Sequence, residues 1–441
     1  MMEPVRTRSL CPVCLKKLDG EISIKDGVVI VSRECADHGI FECPHAWDDP
    51  YMYENMLRIS DAWLNPPIKD MTIDVTDKCN MNCPFCFNTA KKEPVIEDII
   101  GKAGMWGGGN ILLYGGEPTM REDLPDIVRS LKERGFGVIL LSNGLLLDET
   151  LSRKLDEAGL DGVLLQLDSM DDGINERMRG MRLLDVKRKA MKSLEGTSIW
   201  LSFFVVIVKD LNESQVKPIL ELAGEMSDGM RTVLFCPISP EGAAGFDRKF
   251  VRNDDIFSRI SELGITKDDF ISNTMFDVTL TSFLSRVRVD RKGIALCEAV
   301  CYAHVREGVF TPLNRMLDLE GMTTALNESN SFPSLFLNIM KRRILFDSRL
   351  IPIMVRLSAS FLNAILFGGK FKDNVPGMIG IVVNPSQTRY NADYNLIDTC
   401  NLYSDSERGT LTFCENNIFS TGRKRLEDLD MDHIYSMNDG G

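Results

Sequence analysis

Three cysteines lie close together in the stretch DKCNMNCPFCFNTA, which spans residues 77–90. Cys79, Cys83 and Cys86 have the spacing C-x3-C-x2-C. A structural zinc site uses four protein ligands, and a ferredoxin-type iron–sulfur cluster also uses four cysteines. Three thiols on one short loop therefore predict a metal centre in which one coordination position is left for another ligand.

A second group of metal-ligand residues lies in the first 50 residues. Cys11 and Cys14 form one C-x2-C pair, and Cys35 and His38 form a C-x2-H pair. Between them are two strand-like runs around Asp26-Gly27, which is a strong hairpin signal. Two ligand pairs joined by a hairpin predict a zinc-ribbon or rubredoxin-like module that holds zinc or a single iron.

The composition narrows the class of protein. The net charge of −13 argues against general nucleic-acid binding, which needs a basic surface. The twelve cysteines occur in tight clusters, and the start, MMEPVRTRSLCPVC, lacks the apolar segment of a secretory signal. We therefore expect a cytoplasmic protein whose thiols bind metal. With only four histidines, iron–sulfur chemistry is favoured over a histidine-rich site. Cys43 and His45 are alternatives to His38 in the N-terminal module.

The elements that must position the cysteine loop follow a regular pattern between about residues 69 and 240. Six continuous apolar runs, from MTIDVTD to RTVLFCPIS, alternate with amphipathic segments of helical period. This pattern predicts an α/β fold with a partial (βα)6 TIM-like barrel. A doubly wound open sheet is the alternative, although no glycine-rich dinucleotide fingerprint follows the first strand.

Further residues with catalytic potential directly follow or end the predicted strands. They are Gly115, Gly116, Glu117 and Pro118 after the second strand, Ser142, Asn143 and Gly144 after the third, and Gln166, Asp168 and Ser169 at the fourth. Parallel barrels assemble their active sites at this rim. For the polar residues, turn or helix-cap chemistry is the alternative interpretation.

The cysteine triplet with Phe85 before Cys86, the GGEP motif and the six βα units together resemble the radical S-adenosylmethionine (radical SAM) superfamily, over residues 69–240. The resemblance implies that the three thiolates hold a 4Fe-4S cluster whose fourth iron is chelated by S-adenosylmethionine. Reductive cleavage would then give a 5′-deoxyadenosyl radical, which removes a hydrogen atom from an unactivated carbon. A ferredoxin- or flavodoxin-like electron donor is implied as a partner.

The same resemblance implies roles for the rim residues. The GGEP backbone, Gly115 to Pro118, would bind the methionine ammonium, and Phe85 would pack near the adenine. Ser142, Asn143 and Asp168 are candidates for contacts with the ribose or the carboxylate.

The N-terminal module and the tail narrow the resemblance to one subgroup. CPVC, a hairpin and C-x2-H-G-x-F precede the barrel, and NPSQTRYNADYNLIDTCNLY lies near the end of the chain. These features resemble an archaeal-type subgroup that includes tetraether lipid synthases and enzymes described as methylating pterins. Both kinds of enzyme form carbon–carbon bonds at unreactive carbons, and their N-terminal module is rubredoxin-like.

Five further cysteines allow at most one auxiliary 4Fe-4S cluster, because each cluster needs four thiolates. The predicted ligands are Cys297, Cys301, Cys400 and Cys414. Cys236 is a fifth option or a substrate-facing thiol. The alternative is that these residues are buried small apolar side chains.

The predicted domains are a metal module (1–50), a linker (51–68), the barrel (69–240), a C-terminal auxiliary and substrate domain (241–421) and a polar tail (422–441). The apolar segment 333–370 is interrupted by arginines and predicts buried helices or the wall of an apolar substrate cavity. An interfacial helix with peripheral membrane contact is the alternative.

The leading hypothesis is therefore a radical SAM enzyme that forms a carbon–carbon bond on an apolar chain or lipid. One alternative is a methyltransferase that acts on a pterin-like small molecule. The others are a non-catalytic iron–sulfur electron carrier and a zinc-ribbon interaction protein.

Overall fold

The structure is a computed structural model of the 441-residue chain. It describes residues 3–61, 70–86, 93–106, 109–226, 230–238, 251–287, 298–344, 347–350, 377–385, 387–398, 400, 402–406, 409–412, 414–415 and 418.

The N-terminal residues form a four-stranded antiparallel sheet with the order β1-β2-β3-β4. Its strands are β1 Val5–Leu10, β2 Lys17–Lys25, β3 Val28–Cys35 and β4 Gly39–Pro44. Asp26 and Gly27 have φ values of 50° and 78°, as a two-residue hairpin turn with both central residues at positive φ requires. The predicted hairpin of the metal module is thus confirmed.

The six predicted barrel strands are all present, and adjacent strands pair in parallel in chain order. They are β5 Asp70–Thr76, β6 Asn110–Gly115, β7 Gly137–Ser142, β8 Gly162–Gln166, β9 Trp200–Ile207 and β10 Met230–Pro237. The helices between them are α2 Ile96–Met105, α3 Leu124–Glu133, α4 Glu149–Ala158, α5 Asp172–Arg179, α6 Leu184–Ser193 and α7 Val216–Glu225. Alternate strand residues such as Leu113, Leu140 and Phe203 are buried in the main apolar core.

The C-terminal part of the chain adds strands to both edges of the barrel sheet. Strand β13 (Met378–Val383) pairs in parallel with β10, and β11 (Ala299–Arg306) and β12 (Val309–Pro312) follow it. On the other edge, β14 (Leu402–Ser406) pairs in parallel with β5, and β15 (Gly409–Thr412) pairs with β14 in the antiparallel direction. Extra strands cover edges that would otherwise present unpaired backbone groups.

The remaining helices lie outside the six βα units. They are α1 Pro50–Asp61, α8 Asn253–Ser261, α9 Lys267–Arg286, α10 Leu319–Asn327, α11 Phe332–Arg342 and α12 Tyr394–Ile397. Helix α1 falls in the predicted linker, yet its Met52, Tyr53, Met56 and Ile59 are buried in the main core. That segment therefore helps to join the metal module to the barrel.

Helix α11 covers the described start of the apolar segment 333–370. It has no buried residue, and Phe336, Leu337 and Met340 are 64%, 57% and 62% exposed. For this helix the prediction of full burial is wrong, because Phe332 and Leu335 pack only partly against a small apolar cluster and the opposite apolar side chains face outward. Residues 351–376 of the segment lie outside the described residues. Among the described residues, no helix is both long and apolar enough to cross a bilayer.

Candidate active site and metal centre

The N-terminal module brings its four predicted ligands together. Ligand atoms of Cys11, Cys14, Cys35 and His38 all lie within 4.8 Å of one another. The Nδ1 atom of His38 is 3.5 Å from the Cys11 sulfur and 3.4 Å from the Cys35 sulfur. The hydrogen bond from His38 lowers the pKa of the Cys35 thiol to about 7, which favours the thiolate that binds metal. Three thiols and one imidazole fit a tetrahedral zinc or iron site.

The two alternative ligands have other partners. Cys43 is buried beside the Arg33 guanidinium, and burial raises the pKa of its thiol. The Nε2 atom of His45 lies 3.2 Å from the Asp393 carboxylate, and both side chains are fully buried. His38 is therefore the fourth residue of the set.

The GGEP motif lies against the backbone at the start of the cysteine loop. Gly116 N donates to Thr76 O at 2.7 Å, and Glu117 N donates to Lys78 O at 2.8 Å. A Cβ atom at Gly116 would lie 2.1 Å from Lys78 O, and one at Gly115 would lie 2.3 Å from Thr76 O. Both positions therefore require glycine. The close backbone contact joins the end of β6 to the loop that carries the cysteines.

The three loop cysteines are free thiols that sit at the end of β5. Cys79 and Cys86 are exposed, and Cys83 is half-buried. Thiolates are the protein ligands of iron–sulfur clusters, so this loop supplies three residues of the required type.

Glu117 is a buried carboxylate that joins the second and third strand ends. It accepts hydrogen bonds from Thr119 N at 3.1 Å, Thr119 Oγ1 at 2.6 Å, Ser142 Oγ at 2.7 Å and Asn143 N at 2.7 Å. The Asn143 side chain in turn donates to Asn80 Oδ1 at 2.7 Å, inside the cysteine loop. Glu117 thus positions the rim through hydrogen bonds, and Ser142 takes part in this network.

Arg179 is a site residue that the sequence reasoning missed. Its Nε donates to Asp168 Oδ2 at 2.7 Å and its Nη1 to Cys83 Sγ at 3.4 Å, while its Cζ lies 4.3 Å from the centroid of the Phe85 ring. Arg179 ends α5, a short helix that we did not predict. The signal was present, because Asp171 caps its N-terminus and Gly180 ends it with a φ of 80°.

The sheet register decides which face of the sheet carries Cys301. Cys301 pairs with Ile381, and Phe235 pairs with Val383 on the same neighbouring strand. Paired residues, and residues two apart, share one face of a sheet. Cys301 therefore faces the same side as Phe235, opposite to Cys236, and it is fully buried in the main apolar core. This placement contradicts the prediction that Cys301 is a cluster ligand.

The other four cysteines that follow the barrel strands or end them have different surroundings. Burial raises the pKa of the Cys236 thiol well above its usual value, and the nearby charge of Cys414 adds to this effect. Cys400 is buried, with its Sγ 3.3 Å from Leu402 O. Cys297 lies outside the described residues. An auxiliary cluster stays a prediction.

A parallel barrel whose first strand ends in a C-x3-C-x2-C loop, held by a GGEP turn, defines a radical SAM enzyme. The sequence matches the family described as "Radical SAM superfamily" over residues 73–223 and the "HMPTM N-terminal zinc ribbon domain" over residues 4–46. The chain is a radical SAM enzyme that carries this N-terminal zinc ribbon.

The chain is similar to the 7,8-dihydro-6-hydroxymethylpterin dimethyltransferase of Methanocaldococcus jannaschii, with 29% identity over 73% of this chain and 72% of the relative. It is also similar to a probable GTP 3′,8-cyclase of Pyrococcus horikoshii, with 30% identity over 36% of this chain and 54% of the cyclase. The crystal structure of Streptococcus suis SuiB bound to S-adenosylmethionine aligns with a TM-score of 0.34 and 20% identity over 39% of each chain.

The residues at the barrel mouth fit the cofactors of this superfamily. Cys79, Cys83 and Cys86 are free thiols on one loop, and the Arg179 guanidinium and the Phe85 ring lie beside them. When bound, the cluster and S-adenosylmethionine supply one-electron reduction and hydrogen-atom abstraction, while the protein binds, orients and shields them.

Proposed function

We propose that the protein is a radical SAM methyltransferase that forms a carbon–carbon bond on a pterin-like small molecule. The similarity to the pterin dimethyltransferase is the observation that carries this proposal. It extends over 73% of the chain, well beyond the radical SAM match at residues 73–223, whereas the similarity to the cyclase covers 36%. The methyltransferase hypothesis is thereby favoured over the lipid hypothesis.

A carboxylate and an amide at the barrel mouth suit such a substrate. Asn384 Nδ2 donates to Glu298 Oε1 at 2.9 Å, and Asn384 N donates to Phe235 O at 2.9 Å. The Glu298 charge also acts on the buried Cys236 thiol, whose pKa is raised first by burial and then by this carboxylate. A pterin has amino and N–H donors beside a carbonyl acceptor on one edge, and a neighbouring carboxylate and amide can pair with that edge. We assign Glu298 and Asn384 to substrate recognition.

Arg179 suits the carboxylate of S-adenosylmethionine. A guanidinium presents five donors in a planar fork and pairs with carboxylates through two parallel hydrogen bonds. Asp168 and Cys83 orient the side chain at the cysteine loop through contacts of 2.7 and 3.4 Å. The Arg179 fork would therefore act with the predicted contacts of Asn143 and the GGEP turn.

The test is an anaerobic incubation of the reconstituted protein with dithionite, methyl-labelled S-adenosylmethionine and a reduced hydroxymethylpterin. The expected products are 5′-deoxyadenosine and a pterin that has gained one or more methyl groups, identified by mass spectrometry. S-adenosylhomocysteine will appear as well if a second S-adenosylmethionine is the methyl donor. Formation of 5′-deoxyadenosine with no change in any pterin would count against the proposed substrate.

An apolar chain is the second candidate substrate, and one observation favours it. Helix α11 exposes Phe336, Leu337 and Met340, a face that could contact acyl chains. The same incubation with a lipid extract distinguishes the two candidates. New carbon–carbon bonds in the lipid fraction, without change in the pterin fraction, would favour the apolar chain.

A further inference from the structure

Lys187 is a buried lysine in α6 that belongs to neither the cysteine loop nor the GGEP motif. Its side chain is 1% exposed, and its ammonium donates to Asn143 O at 2.6 Å and Gln166 Oε1 at 2.8 Å. Both acceptors are neutral oxygens. Burial lowers the pKa of Lys187 to about 7, which is the response of an ammonium removed from water. A lysine in an apolar helix–sheet interface costs stability, so its presence calls for a reason other than packing.

Two hydrogen-bonded branches lead from Lys187 to the cysteine loop. The first runs through Asn143, whose side chain donates to Asn80 between Cys79 and Cys83. Its backbone N–H also donates to Glu117 of the GGEP turn at 2.7 Å. This branch joins the third strand end to both the second strand end and the loop.

The second branch runs along the fourth strand end. Gln166 accepts from Lys187 and donates through its Nε2 to Asp168 Oδ2. Asp168 accepts from Arg179, whose Nη1 reaches the Cys83 sulfur. Asp168 Oδ1 also accepts from Val206 N at 2.8 Å, which anchors the carboxylate to β9.

We propose that Lys187 is a positioning residue of the radical site, which holds Asn143 and the Gln166–Asp168–Arg179 chain in the geometry that binds S-adenosylmethionine. This inference rests on the proposed radical SAM activity and not on the identity of the substrate. Lys187 is suited to the task because its nitrogen donates to both branches at once, and an amine keeps N–H donors in either protonation state. Asp168, Glu117 and Cys83 favour its charged form, whereas burial and the neighbouring Arg179 favour the neutral form.

The experiment compares Lys187→Met with Lys189→Met, a matched control on the same helix whose side chain is exposed. Each protein is reconstituted, and its iron, sulfide, S-adenosylmethionine Kd and reduced-cluster EPR spectrum with and without S-adenosylmethionine are measured. We expect Lys187→Met to retain iron and sulfide but to bind S-adenosylmethionine about tenfold more weakly, the effect of losing one oriented hydrogen bond near a charge. The change in the EPR spectrum on adding S-adenosylmethionine should be smaller in Lys187→Met than in the wild type. Lys189→Met should match the wild type in every measurement.

Gln166→Leu is the second variant, because it breaks one branch and leaves the Lys187–Asn143 hydrogen bond in place. It should also weaken S-adenosylmethionine binding with normal iron content. It keeps the inference testable if Lys187→Met does not fold. Wild-type Kd and EPR spectra in both variants would overturn the positioning role. If the wild type does not methylate a pterin, only the proposed substrate is overturned, since binding of S-adenosylmethionine is measured independently.

Discussion

The Nη1 atom of Arg179 lies 3.4 Å from the sulfur of Cys83, although 96 residues separate them in the chain. This contact joins the short helix α5 to the loop that carries the radical SAM cysteines. The same guanidinium is oriented by Asp168 and lies over Phe85. The contact therefore places a guanidinium directly beside the cysteine loop.

Replacing Arg179 by lysine should weaken S-adenosylmethionine binding about tenfold while the cluster still assembles. Lysine keeps the charge but cannot pair with a carboxylate through a planar fork. Isothermal titration of the reconstituted protein measures the Kd. Arg177→Lys, at an exposed position of the same helix, is the control and should bind as the wild type does. An unchanged Kd for Arg179→Lys would remove Arg179 from the cofactor site.

Gly116→Ala should impair cluster assembly. An added Cβ would lie 2.1 Å from Lys78 O, so the cysteine loop must move. Overpacking of this kind costs about 1–3 kcal/mol. We expect a lower iron and sulfide content after reconstitution. Gly104→Ala is the matched control, since nothing lies within 4 Å of a Cβ there and alanine favours its helix. Full iron incorporation in Gly116→Ala would contradict the close approach.

Cys35→Ser should remove the metal of the N-terminal module and leave the barrel cluster in place. The serine hydroxyl is a poor replacement for a thiolate, and three remaining ligands hold zinc or iron weakly. Metal analysis should show the loss of one metal ion per chain, with acid-labile sulfide unchanged. Cys43→Ala is the comparison, because Cys43 lies beside Arg33 and outside the ligand set. Equal metal loss in both variants would argue against His38 as the fourth ligand.

Glu298→Gln should raise the KM for the pterin by at least about tenfold, since a hydrogen bond to a charged group contributes about 1.5–3 kcal/mol. Binding of S-adenosylmethionine should not change, because Glu298 pairs with Asn384 beside β10, whereas the cysteine loop follows β5. Steady-state kinetics with varied pterin makes the measurement. Glu307→Gln, at an exposed turn, is the control. If the two variants have the same KM, Glu298 does not contact the substrate.

The stability of the protein should rise between pH 7 and pH 9 through Lys187. Its pKa is lowered to about 7 in the folded protein by burial, and unfolding restores the usual value of about 10.4. The unfolded chain therefore binds more protons across this window, and the free energy of unfolding grows by about 2 kcal/mol as the pH rises. Denaturant unfolding of wild type and Lys187→Met at both pH values gives the difference. A parallel response of the two proteins would show that Lys187 does not titrate in this range.

Much of the fold could be predicted because the signals are local. The continuous apolar strands and amphipathic helices between residues 71 and 239 repeat with clear periods, and every one of the six strands was found. The hairpin at Asp26-Gly27 has a turn sequence that permits few other conformations. Helix α5 was missed because it is short and polar, and Arg179 was missed with it.

The sequence by itself determined the chemistry of this protein, since spacing within one loop decides which thiols can share a cluster and which residues can form a GGEP turn. Only the tertiary structure decided which distant residues meet. Cys301 resembled a cluster ligand in sequence, yet the strand register turns it into the core. Lys187 resembled an ordinary helix lysine, yet packing places its ammonium between Asn143 and Gln166. Such contacts depend on strand register and helix rotation, which are set by packing across the whole chain and not by neighbouring residues.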